Sequence, residues 1–244
     1  MHERELIAEI LFGSTRLYEF FGFAMTDVHG LRSQDGWNFL FFGNIPRTDL
    51  GLSREGQPGD IDVLIVPHKD GYLHVGKAAA IEVKRLSLTG PRWDKSTGRY
   101  GVTQARGLLA AGFPYVGILH LVVHAEGPAE NRMETMTARV VGDDGQAVWG
   151  ETHITDATGW RASERQLGRL LAQGADPVIG LNCVSLTELT HDGRAGIMVS
   201  VPTGRPAQLN PGATRERVIS IAEFVRVMTI DLKTRSIDRG RGVR

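Results

Sequence analysis

An α/β fold with a mixed central sheet is the class this sequence predicts, on three observations. Apolar blocks within residues 1–125 follow the order helix, three strands in a meander, helix, strand. Two of those strands are apolar runs interrupted by charge. Residues 126–244 carry shorter strand and helix patterns in mixed order, an α+β C-terminal half whose role the sequence leaves open.

The first block, Glu5 to Phe21, reads as an amphipathic helix, because Leu6, Ile10, Leu17 and Phe21 recur at helical spacing and Gly22 ends the run. Trp37 to Phe42, bounded by Gly36 and Gly43, suits a strand. A Gly-, Pro- and Arg-rich loop from Asn44 to Gly59 leads to the run Asp60 to Val66. The turn signal Lys69-Asp70-Gly71 then precedes Ala78 to Leu86, so the pair reads as a β-hairpin. Val102 to Ala111 is helical in pattern, and Tyr115 to His124 has the length and composition of a buried strand.

Beyond residue 125, strands are expected at Met136 to Val141, Val178 to Leu189 and Ile197 to Val201, and helices at Ser163 to Ala172 and Arg215 to Val227. Asp143-Asp144-Gly145 reads as a turn, and the Arg- and Gly-rich tail from Arg235 to Arg244 as a flexible, solvated end.

Composition removes several function classes. The chain has 244 residues with 28 basic and 28 acidic side chains, so no global positive field draws it to nucleic acid or an anionic membrane. A single cysteine, Cys183, rules out an internal disulfide and is expected to be a buried, inert thiol; a reducing compartment, the cytoplasm, is the expected address. No apolar run reaches the roughly 18 residues of a membrane span, and no Gly-rich loop of the nucleoside-triphosphatase kind occurs.

The chemistry resides in two charged interruptions. Gly59-Asp60-Ile61-Asp62-Val63-Leu64-Ile65-Val66 is followed, twenty residues after Asp62, by Ala80-Ile81-Glu82-Val83-Lys84. Strands this apolar exclude charge unless it is compensated, since burying an unpaired ion costs several kcal/mol. Strand alternation puts Glu82 and Lys84 on one face, and Asp60 and Asp62 on one face of their own strand. A hairpin centred near Tyr72 sets Asp62 opposite Glu82. Carboxylate oxygens suit a hard divalent cation, Mg2+ above all, with Mn2+ as a substitute. Such a cation beside a lysine points to phosphodiester hydrolysis. The bland alternative is a structural ion pair of Lys84 with Glu82 or Asp62.

Asp62 with Glu82-Val83-Lys84 resembles the signature of the PD-(D/E)xK nuclease superfamily, which includes many restriction endonucleases, Holliday-junction resolvases and recombination nucleases. The element order of residues 1–125 is similar to the restriction-endonuclease-like core of that superfamily. Ile61 stands where the family name has proline. The resemblance implies that Asp62 and Glu82 are metal ligands, Val83 a ligand through its main-chain carbonyl, and Lys84 the catalytic lysine. It further implies that Gln104, on the following helix, orients the nucleophile or contacts phosphate, and that a glutamate of the first helix completes the site. Glu9 is favoured over Glu5 and Glu19 because it borders the apolar stripe. Asp60 either joins the metal or starts the strand.

Between residues 84 and 106 the basic side chains Lys84, Arg85, Arg92, Lys95, Arg99 and Arg106 face a single acid, Asp94. This flank suits contact with the phosphates of DNA, giving salt-dependent and largely sequence-independent affinity. The expected function is therefore a Mg2+-dependent endonuclease acting on DNA, in a bacterial restriction, phage-defence or repair setting. RNA remains open as a substrate, as do one metal or two and a homodimer or a protein partner. The alternative function is a non-catalytic, nuclease-like DNA-binding or assembly subunit. His120 and His124 share one strand face and read as core histidines before metal ligands.

Overall fold

The computed structural model describes residues 28–31, 35–56, 58–88, 101–124, 127, 130, 132–141, 146–173, 175–191, 194–200 and 204–241. The expected first helix at 5–21, with Glu9, and the turn at 143–145 lie outside the described residues, as do Arg92, Lys95 and Arg99.

Strand β1 (Asn38–Ile45) pairs antiparallel with β2 (Ile61–Lys69), and a 3-10 turn at Arg47–Leu50 lies in the loop between them. At the end of β2 the expected turn forms, with Asp70 and Gly71 both at positive φ, 52° and 80°. Two residues of β3 (Tyr72–Leu73) pair back onto β2, a second 3-10 turn follows at Val75–Lys77, and β4 (Ala79–Leu88) returns antiparallel along β2. The expected simple hairpin is thus two-tiered. Its register is Val63↔Ile81, Leu64↔Ala80 and Ile65↔Ala79, which continued by one place sets Asp62 opposite Glu82.

Helix α1 (Val102–Ala110) carries the chain from β4 to β5 (Tyr115–His124), parallel to β4. A second parallel crossover runs from β5 through the antiparallel ribbon of β6 (Arg132–Val141) and β7 (Gln146–Asp156) and through α2 (Thr158–Ala172) to β8 (Gly180–His191). Strand β9 (Arg194–Ser200) folds back antiparallel on β8, and α3 (Arg215–Arg241) closes the described chain. The sheet order is β1-β2-β4-β5-β8-β9, with β3 beside β2, while β6 and β7 make a separate two-stranded sheet. The result is a mixed α/β architecture around an open, mixed sheet. The connection at residue 125 falls between β5 and β6, and the same sheet continues across it in β8 and β9.

Side-chain alternation divides the core in two. On one face Leu64, Val66, Ala80 and Ile118 pack with Ala105 and Leu108 of α1, Leu167 and Leu170 of α2, and Ile221 and Phe224 of α3. Two crossovers moving the same way across a sheet put their helices on the same side, because each is right-handed. The other face holds Val63, Ile65, Ala79, Ile81, Val83, Leu119, Leu121, Val184 and Leu186, with Val28 against them. Glu82 and Lys84 continue the alternation of Ala80, so they project from the helix-covered face.

Besides shifts of one to four residues at strand ends, three elements depart from expectation. Strand β7 has no counterpart in the sequence reading: it pairs only with β6, and Val148, Trp149 and Ile154 on it are exposed, so no core-facing period marks it. Helix α2 starts at Thr158 rather than Ser163; its N-cap is Ala157, and Asp156, one residue earlier, accepts the Thr158 N–H through Oδ1 at 2.8 Å and satisfies the first amide of the added turn. Helix α3 runs through Arg241, where a flexible tail from Arg235 was expected. Within that stretch Arg235, Arg239 and Arg241 are good helix formers, and continuing a nucleated helix through them offsets the cost of Gly240.

Candidate active site

The site lies where β2 and β4 part. Their pairing ends at Val63↔Ile81, and just beyond it Asp62 Oδ2 accepts the Val83 N–H at 2.8 Å, taking the place of a ladder hydrogen bond. A strand residue projects its N–H and C=O toward the same neighbour, so the Val83 carbonyl also looks toward β2. Glu82 is 2% exposed and its Oε1 lies 2.6 Å from Lys84 Nζ, whose side chain is 17% exposed. The ion pair compensates a carboxylate that could not otherwise be buried. Lys84 keeps the only part of this pair that reaches solvent to any extent.

Helix α1 closes over the pair. Gly101, its N-cap, has φ +84°, and a Cβ at this position would come within 3.1 Å of Glu82 Cγ, 3.3 Å of Ile118 Cγ2 and 3.7 Å of Lys84 Cγ. Glycine permits both the left-handed backbone and the close approach. The positive end of the helix thereby sits against the two charged side chains. Gln104 is half-buried in the first turn of α1, and its Nε2 lies 3.8 Å from where a Gly59 Cβ would be, so it faces the lead-in to β2.

The structure therefore brings Asp62, Glu82, Val83, Lys84 and Gln104 to one end of the β2–β4 pair. Asp60 is exposed, and its Oδ1 accepts the Arg47 N–H at 3.2 Å, anchoring the 3-10 turn at the start of β2. Arg106 is exposed on α1, whereas Arg85 projects from the sheet face opposite Lys84 by strand alternation. Arg47, unremarked in the sequence, is 8% exposed and its guanidinium donates to the Gly56 carbonyl, which shapes the loop entering β2.

Two polar residues flank the site within the core. His120 stands next to Lys84 in the β4–β5 register and is fully buried, and its Nδ1 lies 2.9 Å from Gln166 Nε2 of α2. His124, two places on along the same face, is buried near Ser185 and Gly159. Cys183 is buried beside His120, and burial pushes its thiol pKa far up, so it is inert. Among the described residues no three His, Cys, Asp or Glu side chains gather in a ready ligand set. The donors present are Asp62, Glu82 and the Val83 carbonyl, all oxygen, which suits a hard cation that retains water.

No protein-family model, curated protein or solved structure matches the chain. Among the described residues no helix is long and apolar enough to cross a membrane.

Proposed function

We propose that this chain is a metal-dependent nuclease that hydrolyses phosphodiester bonds, with DNA as its substrate. The observation that carries the reading is the convergence of Asp62, Glu82 and Lys84 on the helix-covered face where two otherwise apolar strands part. Asp62, Glu82 and the Val83 carbonyl hold Mg2+, or Mn2+ in its place. When bound, the cation supplies charge neutralisation at the phosphoryl group and an acidified water.

The chain's own residues do the rest. Lys84, the part of the Glu82 pair that reaches solvent, stabilises negative charge developing on the phosphoryl oxygens. Gln104, facing the Gly59–Asp60 lead-in, orients water or phosphate. The amide ends of α1 favour an anion at the same place. Arg106 on the exposed side of α1, with Arg92, Lys95 and Arg99 of the preceding segment, holds the nucleic-acid backbone. Single-cysteine usage suits a cytoplasmic enzyme, and the resemblance to the PD-(D/E)xK superfamily suggests a role in restriction, phage defence or repair.

One observation favours a second reading. The 2.6 Å Lys84–Glu82 pair and the Asp62–Val83 hydrogen bond would also hold a nuclease-like core that only binds DNA or assembles with a partner. Incubation of the purified chain with plasmid DNA, with single-stranded RNA, and with Mg2+, Mn2+ or EDTA separates the two. Metal-dependent cleavage that disappears in Asp62→Ala and Lys84→Ala supports the nuclease; DNA binding with no cleavage and no metal uptake by calorimetry supports the subunit.

A further inference from the structure

We propose that His120, fixed by Gln166, is the positioning residue of Lys84: a neutral imidazole that holds the lysine on its course toward Glu82. Its catalytic consequence rests on the nuclease reading above; the placement of His120 beside Lys84 in the sheet does not. In the β4–β5 ladder Lys84 and His120 are direct partners on strands about 4.8 Å apart, with side chains on the same face. His120 is 0% exposed, and its neighbours on that face include Ile118 and Cys183. A polar ring in such a place needs a partner, and α2 provides one in Gln166, itself 4% exposed, across 2.9 Å.

The identity of that partner sets the protonation of the ring. With the Gln166 amide nitrogen as donor, Nδ1 of His120 accepts and the ring proton sits on Nε2, which is the uncharged tautomer the proposal requires. An imidazolium here would set a second cation beside the Lys84 ammonium; a neutral ring does not oppose it. Lys84 thus runs with Gly101, the N-cap of α1, close to its stem, since a Cβ there would lie 3.7 Å from Lys84 Cγ, and with His120 on the adjoining strand. Gln166 reaches the ring from the sheet-facing side of α2, whose Leu167 and Leu170 are in the core. Helix α2, remote in sequence from β4, thereby bears on the geometry of the lysine.

The test uses the full chain in two arms. With 15N-histidine labelling, the His120 signals, assigned by their loss in His120→Gln, are expected to show the neutral tautomer protonated on Nε2 and to move in both Gln166→Leu and Lys84→Met. In DNA cleavage with Mg2+, His120→Ala and Gln166→Leu are expected to lower kcat by on the order of 10- to 100-fold with little change in KM. His120→Asn, which can still bond Gln166, is expected to recover much of the loss. An imidazole indifferent to Lys84→Met, or an unchanged kcat in Gln166→Leu, overturns the proposal. If the wild type cleaves nothing, the nuclease reading falls and the resonance arm alone decides: a response to Lys84→Met supports the pairing, and its absence ends it.

Discussion

Replacing Gly101 with alanine tests the packing of α1 on the site, and its expected sign is opposite to the usual one. At a position of ordinary φ, Gly→Ala stabilises by about 0.4–1 kcal/mol because it restricts the unfolded chain. At Gly101 the backbone stands at φ +84°, where an L side chain costs about 1–2 kcal/mol. The added Cβ also meets Glu82 Cγ at 3.1 Å and Ile118 Cγ2 at 3.3 Å, on buried strands that yield little. Overpacking of this kind costs about 1–3 kcal/mol. The three terms leave a net destabilisation of about 1–4.5 kcal/mol. Urea unfolding of wild type, Gly101→Ala and Gly101→Asn at one pH measures it. Asparagine tolerates the left-handed region better than alanine, so it isolates the steric part. An alanine variant as stable as the wild type would refute the close approach of α1 to Glu82 and with it this account of the site.

Other expectations follow from the same contacts. Lys84→Met leaves the Glu82 carboxylate buried without its cation and is expected to cost about 3 kcal/mol; adding Glu82→Gln to that variant restores much of the stability but no cleavage, as read by paired melts and nuclease assays. Gly159→Ala places a Cβ 2.4 Å from Ser185 Oγ and 2.8 Å from His124 Nε2, so a loss of about 1–3 kcal/mol in a denaturant titration is expected, where an open helix position would tolerate the change. Burial lowers the pKa of His29, which stacks on Tyr115 and bonds the Lys77 carbonyl. Below its ordinary value of 6.5 the unfolded chain takes up a proton that the folded chain does not, so stability falls as pH falls, by up to about 1.4 kcal/mol per pH unit; His29→Phe flattens that slope.

Much of the central sheet was legible because its strands are buried on both faces and therefore read as aliphatic runs. The expected strand at 115–124 coincides with β5, and the midpoint near Tyr72 gave the Asp62–Glu82 register despite the intervening β3 and 3-10 turn. Those small elements left no trace, since two or three residues carry no period. Strand β7 was illegible for a different reason: it pairs with β6 in a separate two-stranded sheet, and its exposed apolar residues Val148, Trp149 and Ile154 mark no core face.

Within the site, Asp62, Glu82 and Lys84 were visible as charges interrupting apolar runs. What escaped was contact distant in sequence or dependent on a face. Gln166 meets His120 from 46 residues away, which no local pattern encodes. Arg85 was grouped with Lys84 by proximity along the chain, although strand alternation sends adjacent residues to opposite faces. The mixed loop around Arg47 hid a buried guanidinium, because its partner is a main-chain carbonyl with no signature of its own.

Asp62, Glu82 and Lys84 form either a cleaving site or only a structural ion pair. Initial rates of DNA cleavage, with Mg2+ and with EDTA, for wild type and for Asp62→Asn and Lys84→Met shown to be folded by their unfolding transitions, test this most directly. Metal-dependent strand scission is expected of the wild type, with a loss of at least about 100-fold in each folded variant. Scission that survives in both variants, or a wild type that binds DNA and metal yet cuts nothing, would contradict it.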